Sequence, residues 1–225
     1  MIGANKYAIS DIHGCALTFE ELLNKISLSK DDELYLLGDF INRGSRSKQV
    51  VDYIIELQSQ GYNITALKGN HEEMVFDSIE LDGWTAGANE TLKSFNIKHL
   101  NQLNPKYIKW FSNLKSLSDN NEFIFVHAGL NFEINNPIED IRSVCWITDW
   151  YKSINYEWLK SRKIIHGHIP KKKYEIKKML QNFPTTKVLN IDNGCYLKGE
   201  AEYGNLCCVE LNKMELTFQE NIDLE

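Results

Sequence analysis

The most constraining feature of this chain is the way its apolar runs end. "KYAIS" leads into Asp11 and His13, "DELYLLG" into Asp39, "YNITALKG" into Asn70 and His71, "EFIFV" into His127, and "RKIIHG" into His168. A carboxylate at the end of a buried strand is costly unless something pairs with it. Between the first three runs lie stretches of helical periodicity, with Phe19, Leu22, Leu23 and Ile26 on one face, then Val50, Ile54 and Leu57 ahead of Gly61. Strands alternating with helices predict parallel βαβ units. In an open sheet of that kind, ligands collect beyond the carboxyl ends of the strands. Residues distant in sequence are therefore predicted to converge on one site.

The remaining elements follow the same logic. "HEEMVFDSI", "GANETLKSF" and "PKYIKWFSNL" read as helices, the last with Pro105 near its start. "KSLSDNNEFIFV" reads as two strands around a turn, and "TKVLNIDNGCY", "NLCCVELN" and "MELTFQE" as strands joined by turns. No linker interrupts the 225 residues, so one domain over 1–225 is expected. With 25 basic and 31 acidic residues the net charge is −6, which argues against stable nucleic-acid binding or a membrane surface. The first residues lack the basic-then-apolar pattern of a signal peptide, and no apolar run is long enough to span a bilayer. The five cysteines form no disulfide or zinc pattern, so a cytoplasmic location is expected.

The strand-end residues comprise two carboxylates, an amide and several imidazoles. That mixture suits manganese, iron or zinc better than calcium. In order, "SDIHG", "GDFINRG", "GNHE", "HAG" and "GHIP" resemble the motifs of the calcineurin-like metallophosphoesterases, in particular the phosphoprotein phosphatase branch with its compact bacterial and phage members. "IDNGC" (191–195) is similar to a late Asp-Thr-Gly element of that family, so the resemblance spans residues 10 to 195. It implies an α/β fold, a β-sandwich of two mixed sheets flanked by helices in four α-β-β-α layers. It also implies two divalent metal ions, Mn2+ first, with iron, zinc or Mg2+ as alternatives. Asp11 and His13 would hold the first ion, Asp39 would bridge both, and Asn70, His127 and His168 would complete the second. Two dications against two carboxylates leave a surplus of about two positive charges, suited to a bridging hydroxide and an anionic phosphoryl group. By the same resemblance His71 is the general acid. Arg43 grips phosphoryl oxygens with its planar fork, beside Asn70.

The chain departs from the branch at Asn42, where an aspartate usually supports the acid histidine. An asparagine keeps a hydrogen bond to His71 but not the charge. Diadenosine-tetraphosphate hydrolases resemble the chain here, and their phosphate leaving group needs little protonation. "CWITDW" has Thr148 where compact members often carry a phosphate-reaching arginine, which leaves Arg142 or Arg162 to substitute. The first expectation is a phosphomonoesterase of the serine/threonine phosphatase type, acting on a phosphorylated protein. The alternative is a hydrolase of dinucleoside polyphosphates or other nucleotide anhydrides. A third reading, from Asn42 and Thr148, is a phosphate-binding module without turnover.

Other residues have plainer readings. His166 shares a strand face with His168 and reads as a packed imidazole. Glu72 reads as favouring a helix start, His99 as surface, and the lysines at 171–173, 177 and 178 as a solvated face. Trp84, Trp110, Trp146, Trp150 and Trp158 read as core or lid residues. Trp146 and Trp150 are also candidates to line the cleft and stack on a base.

Overall fold

Alternation along the strands sorts the apolar side chains into three layers of core. The computed structural model describes residues 4–80 and 89–223; Trp84 lies outside them. The first sheet contains β1 (Lys6–Ile9), β2 (Glu33–Leu36) and β3 (Asn63–Ala66), all parallel, as the βαβ reading predicts. The helices between them are α1 (Ala16–Lys25) and α2 (Ser47–Ser59). After β3 come α3 (Asn70–Glu80), α4 (Asn89–Phe95) and α5 (Pro105–Ser112).

The second sheet is built from β4 (Leu117–Asp119), β5 (Phe123–Val126), β6 (Lys163–His166) and β7 (Val188–Asn190), with β4 antiparallel and the others parallel. Short helices α6 (Ile141–Trp146) and α7 (Tyr156–Leu159) lie between β5 and β6, and α8 (Lys173–Thr186) precedes β7. The chain then returns to the first sheet with β8 (Asn205–Glu210), antiparallel to β1, and β9 (Glu215–Glu220). The strand orders are β3-β2-β1-β8-β9 and β4-β5-β6-β7.

The two-residue period of the strands decides which face each side chain buries. Ile9, Leu34, Leu36, Leu206 and Cys208 face outward onto Phe19 and Leu22 of α1 and Val50 and Ile54 of α2. Their neighbours Ala8, Tyr35, Leu37, Cys207 and Val209 meet Phe123, Phe125, Ile165 and Leu189 between the sheets. Ile124, Val126, Ile164 and Val188 then bury the outer face of the second sheet against Val144 of α6 and Leu159 of α7. Helix, sheet, sheet and helix thus form the expected four layers. Tyr35 and Phe125 stack across the inter-sheet layer, ring centroids 3.9 Å apart at 11°. All five cysteines are free and buried, and among the described residues no helix is long and apolar enough to cross a membrane.

Candidate metal centre

The parallel strands of both sheets discharge their chains toward one edge, and the loops there are unusually contorted. Asp11, His13, Asp39, Asn42, Arg43 and His168 all have positive φ, between 47° and 76°. Outside glycine this conformation costs on the order of 1–3 kcal/mol per residue, and it clusters where function over-determines the backbone. Two glycines make the close approaches possible. A Cβ on Gly69 would collide with the Asp39 carboxylate, and one on Gly167 with the Asp11 carboxylate and the Ser10 hydroxyl.

Asp39 lies between two groups of donors. Its Oδ2 is 3.4 Å from His13 Nε2 and 3.9 Å from His71 Nε2; its Oδ1 is 3.5 Å from His127 Nε2. His13, Asp39 and His71 form one convergent triple, and Asp39, His127 and His168 a second. The ring orientations are set from behind. His13 Nδ1 bonds the Ile41 carbonyl at 3.0 Å, and His127 Nδ1 the Leu37 carbonyl at 2.9 Å. Carbonyls only accept, so both rings carry their proton on Nδ1 and turn the Nε2 lone pair into the site.

These residues fit divalent cations. His127 Nε2, an acceptor, stands 2.9 Å from the Asn70 carboxamide oxygen, also an acceptor, with His168 Nδ1 3.2 Å away. Donor atoms gathered this closely suit a cation among them. Asp11 and Asp39 are buried, and burial, with mutual repulsion among the carboxylates, pushes both well above the usual carboxylate range. Asp192, after β7, is likewise driven by burial up to about 7. Burial also pushes His13 and His127 well down, which keeps their lone pairs free. The donor set would hold two ions, with Asp39 shared between them.

Asp11, expected beside His13, stands at the edge of the two triples: its two oxygens accept the His168 backbone N–H at 3.2 and 3.1 Å, and its charge is among those that raise Asp39. Other expected residues lie outside the donor cluster. Arg43 is exposed, its guanidinium 5.2 Å from the centre of the Tyr196 ring. Arg142 is exposed on α6, in a cleft with Lys68 and Trp146. Arg162 precedes β6, at the opposite end of that strand from His168, and pairs with Asp119 at 2.8 Å, so it cannot replace an arginine at position 148. Trp150 is buried with its indole N–H on the Ala128 carbonyl, which removes it as a cleft-lining residue, whereas Trp146 remains partly exposed. His166 is the packed imidazole expected, its Nε2 2.8 Å from the Tyr151 hydroxyl.

The structure adds three residues to the site. Glu72 is fully buried, and its carboxylate accepts the backbone N–H groups of Asp39 and Phe40 at 2.8 Å and of Gly69 at 2.9 Å. It ties the Asp39 loop to the Gly69 loop, a role beyond starting a helix. Asp192 was visible only as part of a motif. Tyr196 packs edge-on to His13, ring centroids 4.9 Å apart, and had no sequence signal beyond its position just after "DNGC".

Behind His71 the hydrogen bond expected from Asn42 is present but runs from the asparagine. The Asn42 amide nitrogen is 2.7 Å from His71 Nδ1, and its oxygen accepts the Thr91 hydroxyl at 2.6 Å. Asn42 therefore donates, and His71 carries its proton on Nε2, the nitrogen facing the site. Burial, with Arg43 and His168 adding to it, pushes His71 down to about 4.

A family model for calcineurin-like phosphoesterases matches residues 7–209. The symmetrical bis(5'-nucleosyl)-tetraphosphatase of Buchnera aphidicola subsp. Baizongia pistaciae is 33% identical over 130 residues, covering 55% of this chain and 43% of that one. The chain spans about half the length of the curated relatives it matches. In fold, it is similar to a crystal structure provisionally assigned as a diadenosine tetraphosphatase, with a TM-score of 0.67 at 17% identity over 96% of this chain and 93% of that one. A Saccharomyces cerevisiae serine/threonine phosphatase with similarity to human PP5 gives a TM-score of 0.68 at 16% identity, over 99% of this chain and 82% of that one. The family match and the four-layer architecture agree: the chain belongs to the calcineurin-like phosphoesterase family.

Proposed function

We propose that the chain is a metal-dependent hydrolase of nucleotide phosphoanhydrides, with symmetrical dinucleoside tetraphosphates as the substrate class. The observation that carries this reading is the polarity of the Asn42–His71 bond. An amide that donates to Nδ1 leaves no negative charge to stabilise an imidazolium, and His71 is further depressed by burial. Such a histidine offers a hydrogen bond from Nε2–H but holds no ready proton for an alkoxide. A phosphate leaving group needs only the hydrogen bond; a serine or threonine alkoxide needs the proton. The name borne by the Buchnera relative supports the same choice, and so reverses the order of the two enzyme readings drawn from sequence.

Two divalent cations, Mn2+ first, would supply an acidified water and a positive field opposite the phosphoryl oxygens. Asp39, His13, Asn70, His127 and His168 would hold them, with Asp11 completing the charge. The other tasks fall to residues of the chain. Arg43, exposed and free of ion pairs among the described residues, orients the phosphoryl group with its fork. His71 Nε2–H meets the leaving oxygen, and Thr91 with Asn42 holds its ring in that tautomer. Glu72 keeps the Asp39 backbone in place.

The test is a panel of diadenosine tetraphosphate, a phosphothreonine peptide and an aryl phosphate at matched Mn2+. The tetraphosphate should have the highest kcat/KM. A peptide that exceeds it overturns the reading, and no turnover of any substrate favours a binding module.

A further inference from the structure

Two clefts lie against the loops that carry the metal centre, and both combine cations with an aromatic ring. The first has a volume of 410 Å3 and is lined by Arg43, Tyr196 and Lys198. Tyr196 touches His13, which ties this cleft to the first donor group. The Lys198 ammonium is held by the Asp223 carbonyl at 2.8 Å, which fixes it in place and leaves its other protons for a ligand. The acids in the cleft have partners of their own. Asp223 accepts the first N–H groups of α1, from Leu17 and Thr18, and Glu90 pairs with Lys93 at 2.7 Å.

The second cleft, of 430 Å3, is lined by Lys68, Arg142 and Trp146 with Phe76 behind. Backbone contacts tie it to the second donor group. Lys68 precedes Asn70 by two residues and gives its carbonyl to the Cys145 thiol of α6. Val144 of the same helix accepts the N–H of Ala128, next to His127. The Trp146 indole N–H donates to Glu73 at 2.6 Å, which pins an exposed ring at the cleft wall and occupies the carboxylate. Asp77 also lines the second cleft, so each cleft sets two cations against two carboxylates, and Arg43, Lys198, Lys68 and Arg142 offer four separate points of contact to a long anion.

We infer that the two clefts take the two halves of one dinucleoside polyphosphate: Trp146 is the platform for one base, with Lys68 and Arg142 on its phosphates, and Arg43 and Lys198 hold the phosphates on the far side of the scissile bond. The inference rests on the anhydride reading above and adds to it the residues that choose the substrate. It also gives a physical reason for central cleavage, since a chain gripped at both ends is centred over the metals.

The experiment compares wild type, Trp146→Ala, Trp146→Phe and Lys198→Ala in the Mn2+-loaded protein. It measures KM for diadenosine tetraphosphate, kcat/KM for an aryl phosphate and the inhibition constant of ADP. Loss of a base platform is expected to raise the tetraphosphate KM and weaken ADP about tenfold. Trp146→Phe, which keeps a ring, should restore most of the affinity. Lys198→Ala should raise the tetraphosphate KM about fivefold, less so at high salt. Aryl phosphate turnover should change less than twofold in all three. A tetraphosphate KM within twofold of wild type in either alanine variant overturns the inference. A wild-type protein that ignores the tetraphosphate but cleaves aryl phosphate overturns the anhydride reading instead.

Discussion

Replacing Glu72 should damage the metal centre through the backbone. Its carboxylate is fully buried and accepts three N–H groups, from Asp39, Phe40 and Gly69. In Glu72→Ala those three donors lose their partner without access to water. At about 1–3 kcal/mol for each unsatisfied buried donor, the sum is about 3–9 kcal/mol, against a total stability of about 5–15 kcal/mol for an ordinary domain. Glu72→Gln is milder. Its oxygen can take over from Oε2, which serves Asp39 and Gly69, but its amide group then faces the Phe40 N–H, for a loss of about 1–3 kcal/mol. The negative charge of Glu72 also pushes Asp39 up, so removing it returns part of the loss while no metal is bound. The deficit should therefore be larger with Mn2+ than without. Guanidinium unfolding of the three proteins, with and without saturating Mn2+, measures both quantities. A Glu72→Ala protein within about 1 kcal/mol of wild type in both conditions would refute the account.

Three further outcomes follow from the geometry. Asn42→Asp places a carboxylate 2.7 Å from His71 Nδ1 and should raise turnover of phosphopeptide, measured against an unchanged tetraphosphate rate. Gly167→Ala drives a methyl group into the Asp11 carboxylate; Mn2+ affinity by calorimetry should fall at least tenfold while circular dichroism stays native. Stability of the metal-free protein should fall between pH 6.5 and 8. Below that window the histidines, depressed in the fold, favour folding as pH rises and oppose the carboxylates. Above about 6.5 they shed their remaining protons in the unfolded state, and their opposing contribution fades. There Asp11, Asp39 and Asp192, all raised, bind more protons folded than unfolded, so each rise in pH costs stability until they ionise. Thermal melts across that window check the sign, and saturating Mn2+ should abolish the fall.

The strands, their parallel order and the convergence of their ends were legible because side-chain pattern carries them. Asp39, Asn70, His127 and His168 stand at the predicted strand ends for that reason. The role of Glu72 was not legible, since its partners are backbone N–H groups of residues 39, 40 and 69, and backbone bonding leaves no mark on residue type. Tyr196 was missed for a related reason. It reaches His13 through the return of the chain to the first sheet, a contact between segments 183 residues apart (196 − 13). Arg162 opens the run that ends at His168, so the strand reading itself sets it at the far end of β6, where it pairs with Asp119. Trp146 and Trp150 looked equivalent in sequence, and only the short helix α6 separates an exposed ring from a buried one.

The sandwich interface has a consequence for how the protein would respond to distant mutation. Asp39 and Asn70 arrive from one sheet, His127 and His168 from the other. Any ion seated among them is a rivet through both plates, and its affinity includes the work of holding the plates together. The Tyr35–Phe125 stack lies in the same seam, on the strands that lead to Asp39 and His127. Trimming Phe125 should consequently loosen the grip on Mn2+ without touching a ligand, and Mn2+ in turn should partly rescue the trimmed protein.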